Sequence, residues 1–239
     1  MSSIQTRGIV LRESDTGETD KQLTLLTKKY GKILVSARGA RKPRSKFLAS
    51  AQLFTYSDYK LFDGGLFYAV AQTEVIESFF ALRSDYTRLC LAQYFIEVCD
   101  KTTPFHAPCD DLLHLLIISL SALAKGLRSP YLIAPAFDMR FFHVNGIAPE
   151  TGCCAECGGP LTDIVRFGPE GTVCGCYSRP AIIISPAALF AVRYVLTADL
   201  ADIFKFNAGR EVLSEMNNAG KLFFRHHYNA VINSLEMLE

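Results

Sequence analysis

No stretch of the 239-residue chain reaches the roughly 18 consecutive apolar residues that a membrane helix needs. The most apolar long run, residues 111 to 124 (DLLHLLIISLSALA), carries His114 and two serines and reads as a buried helix. The first residues, MSSIQTRGIVLRESDTG, lack the apolar core of a signal peptide, so a cytoplasmic location with no membrane association is expected. Catalytic signatures are missing too. There is no Walker loop, no dinucleotide glycine fingerprint, no G-x-S-x-G elbow and no H-E-x-x-H pair. The histidines do not supply a constellation: His106 is in a loop-like stretch, His114 in an apolar helix and His143 near a helix end, while His226 and His227 are neighbours expected on different helix faces. The pattern is that of a binding protein with no catalytic residues.

Acidic residues are absent between Lys28 and Lys46, where eight basic residues fall, although the whole chain has a net charge of only +1. The rest is therefore mildly acidic around one basic stripe, densest at Arg38, Arg41, Lys42, Arg44 and Lys46 in VSARGARKPRSKFLAS. Such a stripe suits a polyanion, and its glycine, serine and proline favour a loop over a salt-bridged helix. Solvated surface cations are the bland alternative.

Eight cysteines raise the possibility of a disulfide framework, but they fall into two groups. Cys90, Cys99 and Cys109 sit in apolar, helical-looking segments as small hydrophobes. Five others crowd residues 153 to 176, CCAECGGPLTDIVRFGPEGTVCGC, where Cys154, Cys157, Cys174 and Cys176 form two short pairs able to present thiolates to structural zinc. The second pair has one intervening residue where two are usual, which leaves Cys153 as an alternative to Cys176. With four cysteine ligands such a zinc has no open position and holds the fold.

Five strands are expected before residue 80: IQTRGIVL, KQLTLLT, KILVSA, AQLFTYSDYKLF and LFYAVAQTEVIESF. An acidic turn spans Asp15 to Asp20, and a hairpin turn falls at Asp63-Gly64-Gly65. Without a crossover helix they imply a small antiparallel barrel. Helices follow: residues 84 to 101 capped by Ser84 or Asp85, with Leu89, Ala92, Phe95, Ile96 and Cys99 on one face; 109 to 125 capped by Asp110; 135 to 145; one opening at Ser185-Pro186; and a last stretch, 207 to 238, broken near Asn217 to Gly220. Val231, Ile232 and Leu235 continue its helical spacing. The expected fold is α+β: a small, closed or partly closed antiparallel barrel over 1 to 80, then an α-helical domain over 81 to 239 with the cysteine module (150 to 180) inserted.

A basic loop on such a barrel serves single-stranded nucleic acid, the cations holding phosphates while aromatics stack on bases. Phe54, Tyr56, Tyr59 and Tyr68 are candidates for stacking or for the core.

At this point GIVLRESDTGETDKQLTLLTKKYGK, ARGARKPRS, PAFDMRFFHVNGIAPETGCCAECG, GTVCGC and FFRHHYNAVINSLEML together resemble the bacterial RecO recombination mediators over nearly the whole chain. The resemblance implies an OB-fold, a helical domain and, in many members, a four-cysteine zinc module. It implies a nucleoid-associated DNA repair protein that is not an enzyme, binds single- and double-stranded DNA, anneals complementary strands, and works with RecR to help RecA replace single-stranded DNA-binding protein (SSB). It also implies an apolar groove edged by cations for the acidic SSB tail, for which Lys125, Arg128 and Arg140 are the candidates. Two rival readings are a zinc-stapled protein adaptor whose basic loop docks on an acidic protein, and a metal-dependent nuclease.

Overall fold

The computed structural model describes residues 2–64, 67–161, 164–232 and 234. Two compact units emerge from the chain's internal packing, one built from residues up to Lys125 together with Ile232 and Ser234, the other from Gly126 to Val231.

The first unit opens with five strands, β1 (Ser3–Thr16), β2 (Asp20–Thr27), β3 (Gly31–Ala37), β4 (Tyr56–Asp63) and β5 (Tyr68–Glu77), closed into a barrel in the order β1-β2-β3-β5-β4. The pairing of β3 with β5 is parallel and the other four are antiparallel. Period-two alternation produces this closure. Leu23 and Leu25, Ile33, Val35 and Ala37, and Tyr59 and Leu61 join one fully buried cluster, each set from alternate positions of its strand. β2 is buried on both faces, since the intervening Thr24 and Leu26 are inaccessible as well.

Strand limits differ from expectation where charge and pairing compete. β1 runs on to Thr16, its acidic end paired with β2 (Glu13 opposite Leu23, Asp15 opposite Lys21) and tied by a 2.5 Å contact between Lys21 Nζ and Glu13. The expected acidic turn thus shrinks to Gly17-Glu18-Thr19, with Gly17 at a φ of 59°. β4 begins only at Tyr56, because residues 51 to 55 still belong to the preceding loop. The expected turn after β4 includes Gly65, which lies outside the described residues.

After a 3-10 turn at Phe80–Ser84 come α1 (Tyr86–Thr102) and α2 (Asp110–Lys125). The Asp85 carboxylate caps α1 by accepting from the N–H of Arg88 at 3.0 Å. α1 is buried on more than the single face expected of it: Cys90, Leu91, Tyr94 and Val98 are inaccessible beside Ala92, Phe95, Ile96 and Cys99, whereas Leu89 is half-buried. The link between α1 and α2 lies against the start of β3, where Gly31 adopts a φ of 67° and approaches the Ala107 backbone so closely that no Cβ fits.

The second unit holds α3 (Pro130–Val144), a three-stranded sheet of β6 (Arg166–Gly168), β7 (Gly171–Val173) and β8 (Ile182–Ile183) in the order β7-β6-β8, then α4 (Pro186–Thr197) and α5 (Arg210–His227). α3 starts five residues earlier than expected, because Pro130 and not Pro135 occupies the first turn. α5 runs unbroken through Asn217 to Gly220. Gly220 is a packing position, since a Cβ there would lie 3.4 Å from that of Asp138 on α3. Phe142 and Phe223 lock the same interface with ring centroids 4.6 Å apart. The helix ends at His227, so Val231 and Ile232 are not helical, and Leu235 lies outside the described residues. Among the described residues no helix is long and apolar enough to cross a membrane.

Candidate nucleic-acid interface and metal centre

The loop from Arg38 to Thr55 joins β3 to β4 as a succession of tight turns. Its apolar residues Ala40, Phe47 and Ala51 are buried in the barrel cluster, while Arg38, Arg41, Lys42, Arg44 and Lys46 are all exposed. Burial of one set of side chains therefore aims the other outward. The loop's base is held by Asp20, whose carboxylate accepts from the N–H of Gly39 at 2.8 Å. That hydrogen bond, then the Thr19 hydroxyl and the charges of Arg38 and Lys42, hold the Asp20 carboxyl below the usual carboxylate range.

The cations are not equivalent. Arg41 forms an ion pair with Asp15 at 3.3 Å and donates to the Gly17 carbonyl at 3.1 Å. Among the described residues, no carboxylate lies within ion-pair distance of Arg38, Lys42, Arg44 or Lys46. Lys32, part of the same basic stripe in the sequence, is buried. It pairs with Asp100 at 3.6 Å, donates to the Asp100 carbonyl and sits 4.6 Å from the centre of the Phe105 ring. A groove beside the loop has mixed charge, lined by Lys46 and Lys60 together with Asp58 and Glu74, so the concentrated positive charge is that of Arg38, Lys42 and Arg44.

Of the aromatic candidates, Phe54 and Tyr59 are core residues with 2% and 0% of their surface exposed, and Tyr59 donates its hydroxyl to the Ser50 carbonyl. Tyr56 and Tyr68 keep partly exposed faces. Arg140 is half-buried and donates to the carbonyls of Val195 and Leu196, where it caps the last turn of α4. Arg128 bonds to the Asn207 side chain, and Lys125 is exposed at the end of α2.

In the second unit, the sulfurs of Cys154, Cys157, Cys174 and Cys176 all lie within 4.8 Å of one another. Cys154 to Cys176 and Cys157 to Cys174 are each 3.7 Å apart, and Cys174 to Cys176 is 3.2 Å. A tetrahedral ion with metal–sulfur bonds of about 2.3 Å would set its ligands roughly 3.8 Å apart, so this donor set fits a metal ion. Cys176 completes the group, Cys153 is not part of it, and the Tyr177 that a two-residue spacing would have reached is packed in the module's core.

Local structure explains the convergence. Gly158, at a φ of 70°, turns the first pair back so that its N–H reaches the Cys154 carbonyl at 2.8 Å. Ala155 N–H donates to Thr172, and Thr172 N–H donates to Glu150, which stitches the first pair to the β6–β7 hairpin. Arg166 donates to the carbonyls of Cys174 and Tyr177 and braces the second pair. Backbone amides point at sulfur: the N–H of Cys174 donates to Cys154 Sγ at 3.3 Å. This bond, followed by those from Cys157 and Glu156, pulls the Cys154 thiol down to about 6. Crowding by the other sulfurs, Cys174 first, pushes Cys176 upward.

His226 and His227 converge on one partner although they are neighbours on α5. Both reach Glu170, with Nε2 to carboxylate-oxygen distances of 2.9 and 3.7 Å.

Comparison with known proteins bears on the whole chain. Residues 1–79 match the family model "Recombination protein O N terminal" and residues 83–236 match "Recombination protein O C terminal". The "DNA repair protein RecO" of Acetivibrio thermocellus is 32% identical over 244 residues, covering 100% of this chain and 97% of that protein. The protein of the same description from Alkaliphilus metalliredigens is 34% identical over 240 residues, covering 98% of each. Matched in order by both family models and along their length by these relatives, the chain belongs to the RecO family.

Proposed function

We propose that the protein is a cytoplasmic, DNA-binding recombination mediator that holds single- and double-stranded DNA by its phosphates and anneals complementary strands. The observation that carries this reading is the anchored β3–β4 loop, which buries Ala40, Phe47 and Ala51 and presents Arg38, Lys42, Arg44 and Lys46 without ion-pair partners among the described residues. A strand bound this way is gripped by charge and not read by base, because phosphate contacts carry no sequence information. Annealing follows from the same charge: two strands neutralised on one surface repel each other less. Tyr56 and Tyr68 remain as partly exposed rings for stacking, and family membership supports the work in repair with RecR, the SSB tail and RecA.

The four cysteines suit zinc, since an all-thiolate tetrahedral set is a closed structural site. Zinc there would supply cross-linking and no Lewis-acid chemistry, while the chain's own residues align the thiolates with backbone amides. Nothing in this role requires a catalytic residue.

The test is fluorescence anisotropy of a labelled mixed-sequence oligonucleotide across a salt series, with wild type and the Arg38→Ala, Lys42→Ala, Arg44→Ala variant. Binding that weakens steeply with salt in wild type, and less steeply in the variant, supports the reading. Identical binding by the two proteins, or none at low salt, would give precedence to an adaptor whose loop meets an acidic protein.

A further inference from the structure

We propose that Glu170, His226 and His227 form a second metal site, distinct from the four cysteines, for a divalent transition ion of the zinc class. Each residue offers a ligand atom, and these atoms lie within 4.8 Å of one another. His226 Nε2 is 2.9 Å from one carboxylate oxygen of Glu170 and His227 Nε2 is 3.7 Å from the other. Ligands bonded at about 2.0 to 2.2 Å around a tetrahedral ion stand roughly 3.4 Å apart, so the group needs little rearrangement to close on one.

Successive helical residues point about 100° apart, so two neighbouring imidazoles meeting one carboxylate requires an arrangement that holds them there. The His227 ring rests on Phe223 with centroids 4.1 Å apart, and the His226 ring meets it edge-on at 4.9 Å. The carboxylate comes from the tight turn between β6 and β7, where Glu170 is fixed through its own carbonyl by the N–H of Glu150 at 3.0 Å. An ordinary surface ion pair uses one histidine. Here a second is directed to the remaining oxygen.

The chemistry of the donors selects the ion. Two neutral imidazoles and a carboxylate form a borderline set suited to Zn2+ and its neighbours and poorly suited to Mg2+ or Ca2+. The histidines occupy the last turn of α5, where the helix dipole favours positive charge. All three side chains are at least partly exposed, so the site is open to solvent. Without metal, His227 Nε2 lies 3.1 Å from the Pro169 carbonyl, a hydrogen bond that binding would replace. Three protein ligands leave room for water or for an oxygen donor from another molecule. An ion here would fasten the end of α5 to the hairpin that also supports the cysteine module.

The experiment uses the full-length protein with its cysteines first loaded with zinc. Zinc alone is then titrated by calorimetry, and retained zinc is counted after gel filtration, for wild type, for His226→Gln with His227→Gln, for Glu170→Gln, and for Cys176→Ser. The expected result is two retained equivalents in wild type, of which calorimetry after preloading reports the second, one in the double histidine variant, and a second equivalent about tenfold or more weaker in Glu170→Gln. Cys176→Ser should keep the histidine equivalent while losing the other, which separates the two sites. Circular dichroism establishes that each variant is folded. A single retained equivalent in wild type, or a second one undiminished by the histidine substitutions, overturns the proposal. So does a histidine NMR spectrum that responds to Glu170→Gln but not to zinc, because the cluster is then only an ion pair.

Discussion

Arg41 Nε lies 3.3 Å from Asp15 Oδ2, an ion pair that joins the β1–β2 ribbon to the basic loop and engages one of its five cations from within. A charge already opposed releases fewer counterions when it meets phosphate. Arg41→Ala should therefore weaken oligonucleotide binding less than Arg38→Ala, Lys42→Ala or Arg44→Ala does. Removing all three of the latter should lower the salt slope by about 2 for a single strand, at roughly 0.7 for each phosphate that is no longer neutralised. Asp15→Asn should strengthen binding by freeing Arg41. Anisotropy titrations between low and moderate salt measure all of these, and an Arg41 variant weaker than the other three would contradict the ranking.

Lys32 calls for a different outcome from the same sequence stripe. Its ammonium is buried against Asp100 and the Phe105 ring, so it cannot meet phosphate without unfolding its surroundings. Asp100→Ala, which leaves that charge buried without its carboxylate, should cost about 3 kcal/mol in urea unfolding. Lys32→Met should cost less, because a side chain of similar length fills the same space, and it should leave the salt slope of DNA binding unchanged. A shallower slope in Lys32→Met would show that Lys32 contributes to the interface after all.

Legibility in the sequence followed the range of the interactions. The clearest strand in the sequence was β3, where Ile33, Val35 and Ala37 are buried and alternate with half-buried Leu34 and Ser36. Lys32 looked like Lys42, since the residues that bury it, Asp100 and Phe105, lie far along the chain. Gly220 read as a helix break because glycine is a poor helix former, yet its missing side chain is what lets α5 approach Asp138. Spacing could not decide between Cys153 and Cys176; the hairpin that carries the second pair decides it. The meeting of His226 and His227 at Glu170 depends on where that hairpin's turn lies, and no local pattern encodes it.

Metal binding at the cysteines should depend steeply on pH, because each bound thiolate must first lose its proton. Cys154 is lowered from about 9 to about 6, so in the metal-free fold its thiolate contributes stability that is complete above about 9 and disappears as the pH falls through about 6. Cys176 is shifted the other way and holds its proton more tightly. Metal must displace that proton, so binding should release protons at neutral pH, and affinity should fall as the solution is acidified. Cys154→Ser or Cys176→Ser should abolish tight retention of the cysteine-bound equivalent of zinc, whereas Cys153→Ser should not. Metal content after dialysis across a pH series checks these outcomes, and loss of zinc in Cys153→Ser would reassign the fourth ligand.

Gly171 links the fold to both metal-ligand groups. It adopts a φ of 124°, which disfavours any residue with a Cβ, and it approaches the Glu150 backbone so closely that a Cβ would collide with main-chain atoms that cannot rotate away. Gly171→Ala must therefore separate the hairpin from Glu150. The hydrogen bonds at risk are Glu150 N–H to the Glu170 carbonyl, at 3.0 Å, and Thr172 N–H to the Glu150 carbonyl, at 2.7 Å. Those bonds position the Cys154 pair against the Cys174 pair and hold Glu170 in place beside α5. The substitution should weaken zinc retention at the cysteines although no ligand has changed, and should lower thermal stability by several degrees through the second unit. It should leave the salt slope of DNA binding intact, because the loop that carries Arg38, Lys42 and Arg44 belongs to the barrel. Metal content, melting temperature and anisotropy measured on one preparation separate these effects, and undiminished zinc retention would mean that the cysteine pairs hold their positions without the hairpin contact.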